Sequence, residues 1–149
     1  MVAPLVTIVI PTYNRGQVIQ GAINSSLDQT HPEIEIIVVD DGSTDDTEKI
    51  IASLISRAPG RELRYLKQEN AGASAARNTG MLAAKGDFIQ FLDSDDFLFS
   101  EKIEKQLSAL LLGPRGSADG LAIPPEVALC FGRLEEADWR VLPHGVGYL

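Results

Sequence analysis

Ile34-Glu35-Ile36-Ile37-Val38-Val39-Asp40-Asp41-Gly42-Ser43 is a run dominated by β-branched residues that ends abruptly in two carboxylates and a glycine turn. Apolar side chains at successive positions, rather than at alternate ones, mean a strand covered on both faces, as inside a parallel sheet. Val6 to Ile10 has the same texture and ends in Pro11-Thr12-Tyr13-Asn14-Arg15, while Arg64 to Leu66 and Phe88 to Leu92 are shorter or more mixed strands. Between them lie segments with helical spacing: Val18, Ile19, Ala22, Ile23 and Leu27, then Thr47, Ile50, Ile51, Leu54 and Ile55. Gly72 to Ala84 is built of small residues (Ala73, Ala75, Ala76, Gly80, Ala83, Ala84), which suits a helix pressed close to a sheet or a ligand. Ile103, Leu107, Leu110 and Leu111 give a fourth helix, with Ser100 as its cap.

Strand and helix in this rhythm predict right-handed crossovers and an α/β domain, a parallel-dominated sheet with helices on both faces. Ligands of such sheets bind beyond the carboxyl ends of the strands. The polar clusters fall there: Pro11 to Arg15, Asp40 to Ser43, Gln68 to Gly72 and Asp93-Ser94-Asp95-Asp96. Four loops are expected to converge on one edge.

The chain has 149 residues, 44% of them hydrophobic, enough for one core without disulfides. Thirteen basic against 21 acidic residues give a net charge of −8, which argues against a nucleic-acid partner and against broad adsorption to anionic lipid. A phosphate-bearing partner must then be held locally, by a metal ion, backbone N–H groups or single Arg side chains. The single cysteine, Cys130, sits in an apolar run and is expected to be buried packing, usage that fits a reducing cytoplasm. Leu5 to Ile10 is too short to span a bilayer and ends in Pro11, so it reads as a strand and not a signal peptide.

Three carboxylates at Asp93, Asp95 and Asp96 repel one another at the mouth of an apolar strand, and a divalent cation is the natural way to neutralise them. A single helix-capping Asp would not need the other two. Asp40, at a strand end, is suited to accept a hydrogen bond from a nucleobase imide N–H, although strand end, turn and helix cap also account for Asp40 to Asp45. Tyr13 can stack on a base and Thr12 can bond its edge, Gly72 allows close backbone approach, and Arg77 offers a fixed guanidinium to phosphate or base. His31 and His144 lie in loop-like contexts and are expected to be solvated.

With all four loops in hand, the chain resembles the N-terminal part of a family 2 inverting glycosyltransferase of the glycosyltransferase A fold. The residues that carry the resemblance are Val9 to Asn14, Val38 to Asp45, Asn70-Ala71-Gly72 with Ala76-Arg77-Asn78, and Phe91 to Asp96. It covers about residues 5 to 112, and Val127 to Leu142 only loosely. It implies a Rossmann-like domain and a nucleotide-sugar donor site, most often for UDP-sugars. By resemblance Pro11, Thr12, Tyr13 and Asp40 hold the base, Arg77 lies near base and diphosphate, and Asp93 meets the ribose or the sugar. Asp95 is the implied direct ligand of Mn²⁺ or Mg²⁺, which offsets charge on the leaving diphosphate. Family members continue well beyond this length, and their later half carries the acidic general base and much of the acceptor pocket. Glu126, Glu135, Glu136 and Asp138 match no such context, so the catalytic base is unassigned and the chain reads as truncated.

The expected organisation is a nucleotide-sugar-binding core over 1–112, then a flexible loop and the incomplete start of an acceptor-side region over 113–149, with a strand at Ala128 to Gly132 and a short hairpin through Trp139 to Leu142. The acceptor, whether saccharide, lipid-linked saccharide or protein, is open, and self-association through the edge near Ala128 is expected. The cytoplasm, or the inner face of its membrane, is the expected location. A sugar-nucleotide pyrophosphorylase would need a Gly-rich basic loop after the first strand, and a phosphoacceptor receiver domain would place its acids after the first and third strands. A nucleotide-sugar-binding module that has lost catalysis is the remaining alternative.

Overall fold

The computed structural model describes residues 3–57 and 60–112. The expected loop at 113–120, the later strand and hairpin, Cys130, His144 and the acidic residues from Glu126 onward lie outside them. Strands and helices alternate: β1 (Val6–Thr12), α1 (Ile19–Leu27), β2 (Ile34–Asp40), α2 (Thr47–Arg57), β3 (Glu62–Lys67), α3 (Ala73–Ala83), β4 (Phe88–Phe91) and α4 (Lys102–Leu112). The sheet runs β3-β2-β1-β4 with every pair parallel. Among the described residues, no helix is long and apolar enough to cross a membrane.

β1 and β2 are central, and all seven residues of each are buried, as their unbroken β-branched runs require. The two-residue period divides their side chains. Ile8, Ile10, Ile36 and Val38 pack with Ile19, Ile23, Ile51, Leu54, Ile103 and Leu107 of α1, α2 and α4. Val9, Ile37, Val39 and Ile89 face the other way, onto Ala76 of α3. The expected parallel sheet with helices on both faces is therefore present. Pro11 fits inside β1 because the N–H groups on its side of the strand point to β4, where pairing stops at Val9 and Phe91.

Three local expectations change. Val18 is 44% exposed and precedes α1 instead of joining its apolar stripe. Ser100 does not cap a helix; α4 begins two residues later, and the Ser100 carbonyl accepts the Thr30 N–H. His31 is buried, not solvated: its Nε2 donates to the Pro4 carbonyl at 2.7 Å, while Arg61 bonds the carbonyls of Gln29 and His31 and pins the loop.

Gly80 explains the small-residue composition of α3. A Cβ built there would lie 2.3 Å from Val9 Cγ1 and 3.1 Å from Val39 Cγ2, so the helix backbone rests directly on the sheet. At the amino end of the sheet, the carboxylate of Glu35 is fully buried on the same face. It accepts hydrogen bonds from Thr7 Oγ1 (2.6 Å), Arg64 (2.9 Å) and the Lys85 N–H (2.9 Å), and Arg64 also bonds the Ala83 carbonyl at the end of α3. Burial pushes the Glu35 carboxyl up, but these bonds and the Arg64 charge outweigh it and hold the group below the usual carboxylate range.

Gly80→Ala is expected to destabilise the fold by about 1–3 kcal/mol in denaturant unfolding, through overpacking. Val9→Ala removes the shortest of these contacts and leaves that of Val39, so the Val9→Ala/Gly80→Ala pair should be more stable than the sum of the two single changes; strict additivity would show that α3 stands off the sheet. Because Glu35 has a depressed folded pKa, its contribution is present above the unfolded value of about 4.3 and is lost as pH falls through the folded one. Urea midpoints should therefore place Glu35→Gln well below the parent at pH 7, with the gap closing in acid; a gap that is constant from pH 7 to 3 would contradict the assignment.

Candidate functional site

The loops that follow β1, β2, β3 and β4 meet at the carboxyl edge of the sheet, and each is tied to a neighbour. Asp41 N–H continues the ladder to the Thr12 carbonyl (2.9 Å), bringing the first two loops side by side. Beyond it, Asn14 N–H donates to Ser43 Oγ (2.9 Å), Thr44 N–H to Asn14 Oδ1 (2.8 Å), Arg15 N–H to Thr47 Oγ1 (3.1 Å) and Gly16 N–H to Asp45 Oδ2 (3.1 Å). Tyr13 is 47% exposed at this seam. Pro11 and Thr12 are buried beneath it, and Thr12 Oγ1 has no hydrogen-bond partner among the described residues.

Asp40 and Asp41 are adjacent in sequence but serve opposite faces. Asp40 has no exposed surface; its Oδ1 accepts the Ser43 N–H (2.7 Å) and its Oδ2 the Tyr65 hydroxyl (2.6 Å), on the side of α1 and α2. Burial, and then the bond to the Asp40 carboxylate, push the Tyr65 phenol far above its ordinary pKa, so it stays a donor. Asp41 turns toward α3: its carboxylate accepts from Gln68 Nε2 (2.7 Å), Ala71 N–H (2.9 Å) and Gly72 N–H (2.8 Å). Burial raises its pKa, yet the three donors prevail and keep it ionised below the usual range. Asp40 is thus bonded on the α1–α2 side of the sheet, whereas Asp41 lies on the α3 face that also carries Arg77.

Gly72 opens α3 at φ 91, a left-handed conformation that glycine adopts freely. A Cβ there would meet no described atom of the chain within 4 Å, and the turn presents the Gly72 N–H to Asp41. One turn further on, Arg77 donates to Asp93 Oδ1 at 2.6 Å, joining α3 to the loop after β4. The ring of loops closes through Arg15, which sequence reasoning left without a role and which stands 3.9 Å from Asp95 Oδ2. Its signal was position, directly after the first strand-end cluster.

Asp93 and Asp95 are each a little over half exposed, and among the described residues no three His, Cys, Asp or Glu side chains form a ready cation cage. That donor set still fits a hard divalent cation of the Mg²⁺ or Mn²⁺ kind, which binds through one or two carboxylates and takes its other oxygens from substrate phosphates and water. Asp95, with only a long contact to Arg15, has the freer carboxylate; Asp93 is committed to Arg77.

Comparison with known proteins agrees with this geometry. Residues 7–124 match the family model described as glycosyl transferase family 2. An uncharacterized glycosyltransferase of Haemophilus influenzae is 44% identical over 108 residues, 72% of this chain and 43% of the relative. A Bacillus subtilis protein whose name assigns it provisionally to teichuronic acid biosynthesis, TuaG, is 42% identical over 72% of this chain and 42% of its own. The chain thus spans less than half the length of these relatives. Among solved structures, S. aureus TarS 1–349 in complex with UDP-GlcNAc superposes with a TM-score of 0.67 at 27% identity, over 80% of this chain and 37% of that one. The mannosyltransferase PcManGT from Pyrobaculum calidifontis, in complex with GDP-Man and Mn²⁺, gives 0.70 at 26% identity, over 74% and 33%. With the four-loop edge, the parallel sheet and a family match across most of its residues, the chain belongs to glycosyl transferase family 2.

Proposed function

We propose that the described residues form the donor side of an enzyme that transfers a sugar from a nucleotide-diphosphate sugar, a UDP-sugar, to an acceptor hydroxyl with inversion at the anomeric carbon. The observation that carries this reading is the Arg77–Asp93 pair at the carboxyl edge of the sheet, a guanidinium and a carboxylate held 2.6 Å apart between α3 and the loop after β4. Arg77 has five N–H donors and spends one on Asp93, so others are free to meet phosphate oxygens. Asp93, half exposed, is the acceptor for ribose or sugar hydroxyls. The donors bound by the superposed proteins, UDP-GlcNAc and GDP-Man, support the ligand class and differ in base.

In this reading the base lies over Pro11 and Thr12 against the Tyr13 ring, and its N–H edge meets the end of β2. The base contact expected of Asp40 is in this reading assigned to Asp41, because Asp41 lies on the α3 face that also carries Arg77, while Asp40 bonds Ser43 on the opposite face. Asp95 would hold Mn²⁺ or Mg²⁺, which when bound screens the diphosphate and stabilises it as a leaving group. The acceptor oxygen attacks the anomeric carbon as the bond to the diphosphate breaks, and its proton passes to a base outside the described residues. The relation to TuaG favours a saccharide acceptor in cell-wall polysaccharide synthesis.

UDP binding is expected to need Mn²⁺ or Mg²⁺ and to weaken at least tenfold on Asp95→Asn or with chelator, about 1.4 kcal/mol or more. Titration calorimetry measures this, and equal affinity with and without chelator would defeat the cation assignment. For the base, Asp41→Asn should narrow the preference for UDP over CDP, whereas Asp40→Asn should lower both affinities alike by loosening Ser43. A change of base preference in Asp40→Asn alone would restore Asp40 as the direct reader.

A further inference from the structure

The Tyr13 side chain makes no hydrogen bond among the described residues, so what the chain fixes is the direction in which the backbone on either side carries its Cα–Cβ bond. On one side the backbone is fixed by the ladder, where the Thr12 carbonyl accepts from Asp41. On the other stands Asn14, the one non-glycine residue at positive φ among the described residues, at 51°. Asparagine is among the few side chains that tolerate this region. The left-handed turn brings both its backbone and its side chain onto the loop after β2: Asn14 N–H donates to Ser43 Oγ, and Asn14 Oδ1 accepts from Thr44 N–H at 2.8 Å and from Thr44 Oγ1 at 3.4 Å. The bonds of Arg15 and Gly16 to Thr47 and Asp45 continue the seam, and a Cβ at Gly16 would sit only 3.2 Å from Thr47 N.

We infer that Asn14 is a positioning residue for the donor base: its side-chain clamp on Thr44 sets the direction in which the backbone carries Tyr13, and it does so without touching the nucleotide. The inference rests on the proposed donor site and adds to it a residue that acts through another. Asn14 combines two properties, tolerance of positive φ and an acceptor at Oδ1, and substitutions separate them. Asn14→Gly keeps the first and loses the second. Asn14→Asp keeps an acceptor, beside the amino end of α2 where a negative charge is favoured. Asn14→Ala loses both.

The test is UDP affinity in the presence of Mn²⁺, by titration calorimetry, for these three variants in the parent and in a Tyr13→Ala background, with thermal midpoints to report folding. Asn14→Gly is expected to weaken UDP about five- to tenfold in the parent, the size of one lost hydrogen bond. Asn14→Asp should restore most of that, and Asn14→Gly should change affinity less than twofold once Tyr13 is Ala. Parent-like affinity in Asn14→Gly would show that only the backbone conformation matters and would overturn the clamp. So would an equal loss in the Tyr13→Ala background, since Asn14 would then act on the loops in general. A parent protein that binds neither UDP, GDP nor CDP would instead overturn the donor-site reading itself.

Discussion

The contact between the backbone of α3 and the side chains of Val9 and Val39, made where Gly80 has no Cβ, is the constraint on which the site depends. It presses the helix onto the two central strands at their carboxyl halves. Arg77 lies three residues earlier, about one turn toward the edge, and Ala76 beside it is fully buried against the sheet. A helix held one methyl further out would carry the guanidinium away from Asp93. The same contact places Thr79, whose hydroxyl bonds Gln68 Oε1 at 2.6 Å, and Gln68 in turn reaches Asp41. Core packing and polar site are thus one mechanical unit.

At the carboxyl edge the strands stop supplying partners, yet the loop N–H groups still require acceptors. Carboxylates meet the need: Asp40 takes Ser43, Asp41 takes Ala71 and Gly72, and Asp45 takes Gly16 and Thr47. Several acidic residues that look like ligand groups in the sequence therefore build the loops first. Asp93, Asp95 and Tyr13, by contrast, face outward, each about half exposed.

The central strands and the alternation with helices were legible because burial on both faces demands apolar residues at every position, and composition alone shows that. The close approach of α3 was legible from its small residues, and the meeting of the loops from the rule that parallel strands end on one edge. Other features depend on alignments that a linear reading does not contain. Glu35 looks like an interruption in a strand until register sets it opposite Thr7, with Arg64 one strand away. His31 looks solvated until Arg61, thirty residues later, pins its carbonyl. The division of labour between Asp40 and Asp41 follows from parity, but only once the end of the β2 ladder is known, and neighbouring identical residues give no hint of it.

The two sides of this loop edge are fastened by different physics. Around Tyr13 and Asp41 the ties are short hydrogen bonds to backbone amides, and Asp41 is only 3% exposed. Around Asp93 and Asp95 they are ion pairs whose carboxylates are 53% and 57% exposed, and one spans 3.9 Å. Dissolved salt screens exposed charges over a length of about 8 Å at physiological strength, but it scarcely reaches buried amide bonds. Rising ionic strength therefore loosens the Arg77–Asp93 and Arg15–Asp95 contacts while the loops around Asp41 keep their shape, so the two sides of one sheet edge answer to different properties of the surrounding solution.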